Sequence, residues 1–259
     1  GGVVAANASG PRRVQVGACR DALLGVRFVD GSGAVIKNGG RVMKNVTGYD
    51  LVKLMAGSYG SLGVITEVSF KVQAVPEAEV TLVAERGLAE GLADLRRALG
   101  SPFDISGAGC MAGRAMIRIE GMAGSVAYRA GRLRALLGDW QEAVGDWQAL
   151  RDVTPFAARE GAVWRLAVTP TATAGIVEAL GLEAICDWGG ALVWLLDPTG
   201  LADVRGVLGA QGQATLLRAL PAQSEVATFP PEAAAVAALT HALRAKFDPR
   251  GVFNQGMRA

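Results

Sequence analysis

The stretch that most constrains this chain is Lys44 to Glu67, KNVTGYDLVKLMAGSYGSLGVITE. Val46, Leu51, Leu54 and Met55 share one side of a 3.6-residue period, which predicts a short amphipathic helix. That helix must stop at Gly57-Ser58-Tyr59-Gly60-Ser61-Leu62-Gly63, where three glycines fall within seven residues. Val64 to Val72 then alternates as a strand does, with Val64, Thr66, Val68, Phe70 and Val72 expected on one face. Glycine has no Cβ to hold a neighbour off, so such a turn lets the backbone approach a flat or anionic group. A purely structural turn, which needs only one or two glycines, is the plainer alternative.

A second small-residue run, Gly1 to Gly10, precedes Pro11-Arg12-Arg13. It reads in two ways. Either it lies flat against a ligand, with amides beside Gly1 and Gly2 turned to phosphate oxygens as in a glycine nest, or it is a helix packed closely on a sheet. Arg12 and Arg13 are a solvated pair by default; beside an anion site either would pin a phosphate or carboxylate through its planar fork.

Between these runs, Leu24 to Val29, Asp30-Gly31-Ser32-Gly33 and Ala34 to Ile36 read as a hairpin with a glycine-containing loop. Pro76 ends the central strand and marks a domain boundary. From there strands are expected at 80–84, 105–112, 115–120, 164–168, 184–188, 192–196 and 215–220. Helices are expected at 88–99, 126–137, 141–151, 173–180 and 201–211. This alternation predicts an α+β domain of two split βαβ, ferredoxin-like units. Glu232 to Lys246 reads as an alanine-rich helix with Val236, Leu239 and Leu243 along one face. The Pro/Gly tail after it, Phe247 to Gly256, is expected to dock back onto the body. The expected domains are therefore 1–76, 77–220 and 221–259.

Composition narrows the function classes. Apolar residues make up 51% and charged residues 19%, which is the balance of a folded globule. A net charge of +2 with acids and bases interspersed leaves no footprint for nucleic acid, and no apolar run has the length of a membrane span. Cys19, Cys110 and Cys186 lack the spacing of a zinc or iron–sulfur site, so no metal is expected; they read as reduced, buried thiols of a cytoplasmic protein. His241, the sole histidine, sits mid-helix and reads as a surface or packing residue before a catalyst.

Three separated stretches, Gly1 to Arg13, Lys44 to Glu67 and Phe247 to Gly256, together resemble the FAD-binding type 4 (PCMH-type) family, the vanillyl-alcohol oxidase and D-lactate dehydrogenase group. Within that group, Ala8 to Arg13, Val42 to Leu51 and Asp187-Trp188-Gly189-Gly190-Ala191-Leu192 are similar to the FAD-binding E-type subunits of glycolate oxidases. The resemblance implies the second lobe of a PCMH-type FAD-binding domain, an α+β cap domain, and a C-terminal helix returning to the FAD domain. The family's first lobe, with its own pyrophosphate loop, is not in this sequence.

The resemblance also implies cofactor contacts. Gly1, Gly2, Ala5, Ala8, Ser9 and Gly10 would lie along the flavin and pyrophosphate. Gly60, Gly63, Val64 and Ile65 would offer backbone groups, and Asn254 would stand near the isoalloxazine ring. Tyr49 and Tyr59 are either stacking or packing residues. No histidine or cysteine falls within these motifs, so the FAD is expected to be non-covalent.

No catalytic residue is assigned. Oxidising a 2-hydroxy acid needs a base and a cation for the carboxylate, and the histidine-rich motif that supplies them in catalytic members of the group is absent. The resemblance therefore implies a homologous FAD-containing catalytic partner and an iron–sulfur subunit, with peripheral association at the inner face of the membrane. The competing expectations are a self-sufficient FAD-dependent 2-hydroxy-acid dehydrogenase and a non-redox structural subunit that has lost the flavin.

Overall fold

The computed structural model describes residues 1–42 and 48–254. Val46 of the expected helix, and Gln255 and Gly256 of the tail, lie outside them. The chain forms two compact units: Gly1–Ser9, Gly17–Ala74 and the chain from Pro231 onward make the first, and Gly10–Val16 with Val75–Pro230 make the second.

In the first unit a short helix α1 (Gly2–Ala5) precedes the hairpin β1 (Leu23–Val29) and β2 (Val35–Gly39). Helix α2 (Leu51–Met55) and strand β3 (Val64–Phe70) follow. The sheet is antiparallel in the order β2-β1-β3. The Asp30 carboxylate closes the hairpin turn by accepting from the amides of Ser32 and Ala34, each at 2.9 Å. Asp50 caps α2 by accepting from the Lys53 amide at 3.0 Å. Val4, Leu23, Val26, Phe28, Val52 and Met55 are the centre of the core.

Strand β3 departs from the expected alternation. Its register pairs Glu67 with Arg27 and Ile65 with Phe28, which leaves Thr66 as an extra residue. Such a bulge flips the faces on either side of it. Ile65 and Val68 both pack toward the core, while Val64 and Phe70 are 54% and 40% exposed. The C-terminal helix, Ala234–Phe247, buries none of its residues among those described; Val236, Leu239 and Leu243 remain exposed. The tail behind it does dock within this unit. The Gly31 amide donates to the Phe247 carbonyl at 2.8 Å, and the rings of Phe247 and Phe28 are 6.0 Å apart. Asp248 accepts from the amides of Val252 (3.0 Å) and Phe253 (2.9 Å).

The second unit contains β4 (Ala78–Glu85), α3 (Leu88–Leu99), β5 (Gly107–Met111), β6 (Arg114–Gly121), α4 (Ala123–Leu137) and β7 (Gln141–Glu142). After α5 (Trp147–Asp152) come β8 (Ala162–Val168), α6 (Thr173–Leu180), β9 (Glu183–Asp187), β10 (Leu192–Asp197), α7 (Val204–Leu208) and β11 (Gly212–Arg218). Among the described residues these strands form one eight-stranded antiparallel sheet in the order β11-β8-β10-β9-β5-β6-β4-β7. It is two βαββαβ halves set edge to edge. Counting outward from the β9–β5 seam, each half places its second, third, first and fourth strands in turn, which is the ferredoxin-like arrangement.

Helices α3, α4, α6 and α7 cover one face, with Leu92, Leu95, Val126, Leu133, Ile176 and Leu208 turned onto it. On the other face Trp147 and Leu150 of α5 pack with Met116 and Phe156. The single helix expected over 141–151 is divided. Gln141–Glu142 pairs with β4, and Asp146 starts a new helix by accepting from the Ala149 amide at 3.1 Å. Trp147 then fills the sheet face, its Nε1 donating to Thr81 Oγ1 at 2.9 Å. In the same way Asp203 caps α7 through the Gly206 amide at 2.9 Å, so that helix starts later than expected.

Candidate functional site

The two small-residue runs meet in the first unit. The carbonyl of Val4 accepts from the Gly57 amide at 3.3 Å, and that of Ala5 accepts from the Tyr59 amide at 2.8 Å. Gly1 lies against β3, where a Cβ would stand 3.3 Å from the Ile65 carbonyl oxygen. The tail closes the arrangement: Asn254 Nδ2 donates to the Tyr59 carbonyl at 2.5 Å. A Cβ on Gly60 would come within 3.0 Å of the same amide nitrogen.

Backbone strain gathers here. Asn7 (φ +48°), Tyr59 (φ +52°) and Asn254 (φ +36°) are all left-handed, beside Gly60 at φ +71°. Non-glycine residues hold such conformations at a cost of about 1–3 kcal/mol each, and they concentrate where binding demands them.

The structure thus brings Gly1, Ala5, Gly60, Ile65 and Asn254 together, with Tyr59 among them. Gly2 is exposed and Val64 faces solvent. Ala8 donates its amide to the Val3 carbonyl at 3.0 Å, and the Ser9 hydroxyl donates to the Asn7 carbonyl while accepting from the Cys19 amide. Gly63 is buried, and its missing Cβ serves close packing: a Cβ would lie 2.7 Å from the Val29 carbonyl oxygen. Gly10 falls in the second unit, where its carbonyl accepts from Trp188 Nε1 at 3.1 Å. Tyr49 is 90% exposed.

Sequence reasoning missed an open cleft of about 610 Å³ between the C-terminal helix and its tail. Ser61, His241, Arg244, Arg250, Phe253 and Asn254 line it. His241 and Arg244 are adjacent on a helical period to Thr240 and Ala245, a signal readable in the sequence once the tail is known to fold back.

Arg12, which is exposed, and Arg13, which is half-buried, are both engaged within the second unit and not in this site. Arg12 forks onto Glu120, Nε lying 2.9 Å from Oε2 and Nη2 bonding Oε1, and Arg13 lies 4.6 Å over the Trp188 ring. Glu120 also pairs with Arg118 at 3.3 Å, and Arg118 stacks 4.9 Å over Trp147. Burial alone would raise the Glu120 carboxyl, but hydrogen bonds from Arg12 and Ser106 and the charge of Arg118 hold it below its ordinary value. Glu79 beside them is raised, chiefly by burial.

Asp187 opens the Trp188-Gly189-Gly190 turn, three residues at positive φ, by accepting from the Trp188 amide at 2.7 Å. Burial pushes its carboxyl up to about 7, against the opposing pull of that amide and of Arg118. The folded state thus holds a proton that the unfolded chain releases near pH 4. Its contribution to stability is complete below that value and is lost as pH rises through about 7. Asp187→Asn keeps an oxygen for the Trp188 amide and cannot ionise. The expected result is a urea midpoint that falls less between pH 5 and 8 than the parent's; parallel pH profiles would refute the assignment.

Among the described residues no three His, Cys, Asp or Glu side chains are placed to hold a metal ion, and no helix is long and apolar enough to cross a membrane.

No protein-family model matches the chain. It is 38% identical over 258 residues to the glycolate oxidase subunit GlcE of Escherichia coli (strain K12), covering 99% of this chain and 70% of that protein. It is 40% identical over 84 residues to the glycolate oxidase subunit GlcD of Bacillus subtilis (strain 168), which covers 32% of this chain and 18% of that one. Among solved structures, an alkyldihydroxyacetonephosphate synthase superposes with a TM-score of 0.61 at 14% identity. The match covers all of this chain and 57% of the synthase, and it shows a shared fold.

Proposed function

The chain belongs to the family of the glycolate oxidase subunit GlcE, and from that premise we propose that it is the FAD-binding subunit of a glycolate oxidase complex, supporting oxidation of glycolate to glyoxylate. The observation that carries this reading is identity running along 99% of the chain rather than confined to one motif.

The proposed cofactor is FAD, held without a covalent bond. Gly1, Gly2, Gly60, Val64 and Asn254, at or near the surface of the first unit, would touch it. Ala5, Ser9, Gly63 and Ile65 would support them from behind, with exposed Ala8 beside them. The residues leave room for a flat group in one respect: among the described residues nothing stands within 4 Å of where a Cβ on exposed Gly2 would lie, while at Gly60 a side chain would push aside the Asn254 amide that donates to the Tyr59 carbonyl. When bound, FAD supplies the two-electron redox chemistry, and the protein supplies position and electrostatics.

No residue of this chain is assigned as the proton acceptor. That role, and the cation for the substrate carboxylate, fall in this proposal to a homologous FAD-containing partner of the GlcD kind, with an iron–sulfur subunit receiving electrons. A cytoplasmic location at the inner face of the membrane goes with that assembly.

The test is a visible absorption spectrum of the purified chain after incubation with FAD and gel filtration. Flavin bands should stay with the protein and move to the supernatant on acid precipitation. Asn254→Ala should weaken retention about tenfold, which corresponds to about 1.4 kcal/mol. A colourless protein that carries the first lobe as well and still assembles with a GlcD-type partner would establish the non-redox structural subunit instead. Turnover of glycolate by this chain alone would establish a self-sufficient dehydrogenase.

A further inference from the structure

The two halves of the eight-stranded sheet meet along β5 and β9. Among the described residues one register pair, Cys110 opposite Cys186, spans that seam. Directly opposed residues of an antiparallel pair have Cα atoms about 4.5–5.5 Å apart and side chains on one face. A disulfide spans about 4.4–6.8 Å between Cα atoms. Both cysteines are free thiols, and both lie in the core beneath the helices. Helix α3 closes over them, since a Cβ on its Gly91 would stand 3.1 Å from Cys110 Sγ. Neither residue has a role in the FAD site proposed above, and the pairing is invisible in a sequence where the two are far apart.

We propose that Cys110 and Cys186 are a latent dithiol that a peroxide converts into a cross-strand disulfide, locking the two halves of the sheet to each other. One sulfur attacks a peroxide oxygen and becomes a sulfenic acid, and the O–O bond breaks with release of one water. The other sulfur then attacks the sulfenic sulfur, forming the S–S bond and releasing a second water. Two thiols and one hydrogen peroxide give one disulfide and two waters; sulfur loses the two electrons that the peroxide gains.

Burial sets the pace of this step. It holds the Cys110 thiol up at about 12 and raises Cys186 as well, so the closed sheet contains little of the reactive thiolate. Oxidation therefore runs through local openings of the seam, where one ladder pair must part. Cys19, which is only half-buried, is the internal control.

The experiment treats the whole purified chain with hydrogen peroxide, raising the dose until Cys19 is oxidised. The protein is then denatured, alkylated and mapped by peptide mass spectrometry. The expected product is a Cys110–Cys186 linked peptide that accumulates faster in sub-denaturing urea. The oxidised protein should have a higher urea midpoint than the reduced one, reversed by dithiothreitol and absent in Cys186→Ala. Should that variant not fold, the peptide map of the unmodified sequence decides alone. Recovery of Cys110 and Cys186 as free thiols once Cys19 is oxidised, or linkage of either one to Cys19, overturns the proposal.

Discussion

Gly63→Val is expected to destabilise the first unit by about 3 kcal/mol, combining backbone strain with overpacking. The new Cβ would meet the Val29 carbonyl oxygen at 2.7 Å and Phe28 Cδ2 at 2.9 Å. Neither can retreat, because Val29 is registered against both Val35 and Val64 and Phe28 is wholly buried. Most of the penalty sits at the first carbon, so Gly63→Ala should show the greater part of it.

Gly60→Ala makes a useful contrast. Among the described residues its Cβ would meet only the far end of the Asn254 side chain at 3.0 Å, which can rotate, leaving about 1 kcal/mol for the left-handed backbone. Urea unfolding followed by flavin retention separates the two glycines. The Gly63 variants should lose stability first, and Gly60→Ala should lose flavin while remaining folded. A Gly63→Val protein within 1 kcal/mol of its parent (roughly the scatter of ordinary surface substitutions) would refute the packing argument.

Glu120→Ala is expected to cost about 3–5 kcal/mol, the usual result of stripping one partner from a buried ion pair. Glu120 and Arg118 have side chains only 5% and 10% exposed. Removing the carboxylate leaves the Arg118 guanidinium with the Ser106 contacts, the Trp147 ring and the more distant charges of Glu79 and Asp187. Arg12, whose side chain is 44% exposed, contributes less, because water screens it. The same deletion removes one fastening of Gly10–Val16, which is also held to this unit by the Trp188 Nε1 bond to Gly10, the Gln15–Asp104 contact and the Arg13 side chain over the Trp188 ring. Arg12→Ala should therefore cost no more than about 1 kcal/mol. If the two variants unfold at the same denaturant concentration, the buried pair is not what stabilises this corner.

How far the molecule was legible from its sequence depends on the range of the interaction. Local signals carried well. The helix expected over 88–99 and the strands expected over 105–112 and 115–120 match α3, β5 and β6 to within two residues. Even the two misread helices were announced by capping residues, Asp146 and Asp203. What failed was whatever depends on a partner strand. The bulge at Thr66 follows from how β3 registers against Arg27 and Phe28, so no inspection of 64–72 alone reveals that Ile65 and Val68 face the same way. The fork of Arg12 onto Glu120 spans more than a hundred residues, and Arg12 offers only a charge to read.

The candidate site divides along the same line. Resemblance to a family nominated Gly1, Gly60, Ile65 and Asn254, which do converge. It also nominated Gly10, which lies in the other unit, and it gave no hint that Gly63 is spent on packing against β1.

The path of the chain sets terms for anyone who would cut this protein apart. The backbone passes from one compact unit to the other at Ser9–Gly10, Val16–Gly17, Ala74–Val75 and Pro230–Pro231. A protease that nicks any one of these links releases neither unit, so a stable fragment is no measure of an autonomous domain here. A gene fragment encoding only Val75–Pro230 would leave the seven residues from Gly10 behind, and with them the fork of Arg12 and one of the arginines over the Trp188 ring. Expression of the sheet domain by itself should then be rescued by supplying that heptapeptide, fused through a linker to the fragment's first strand.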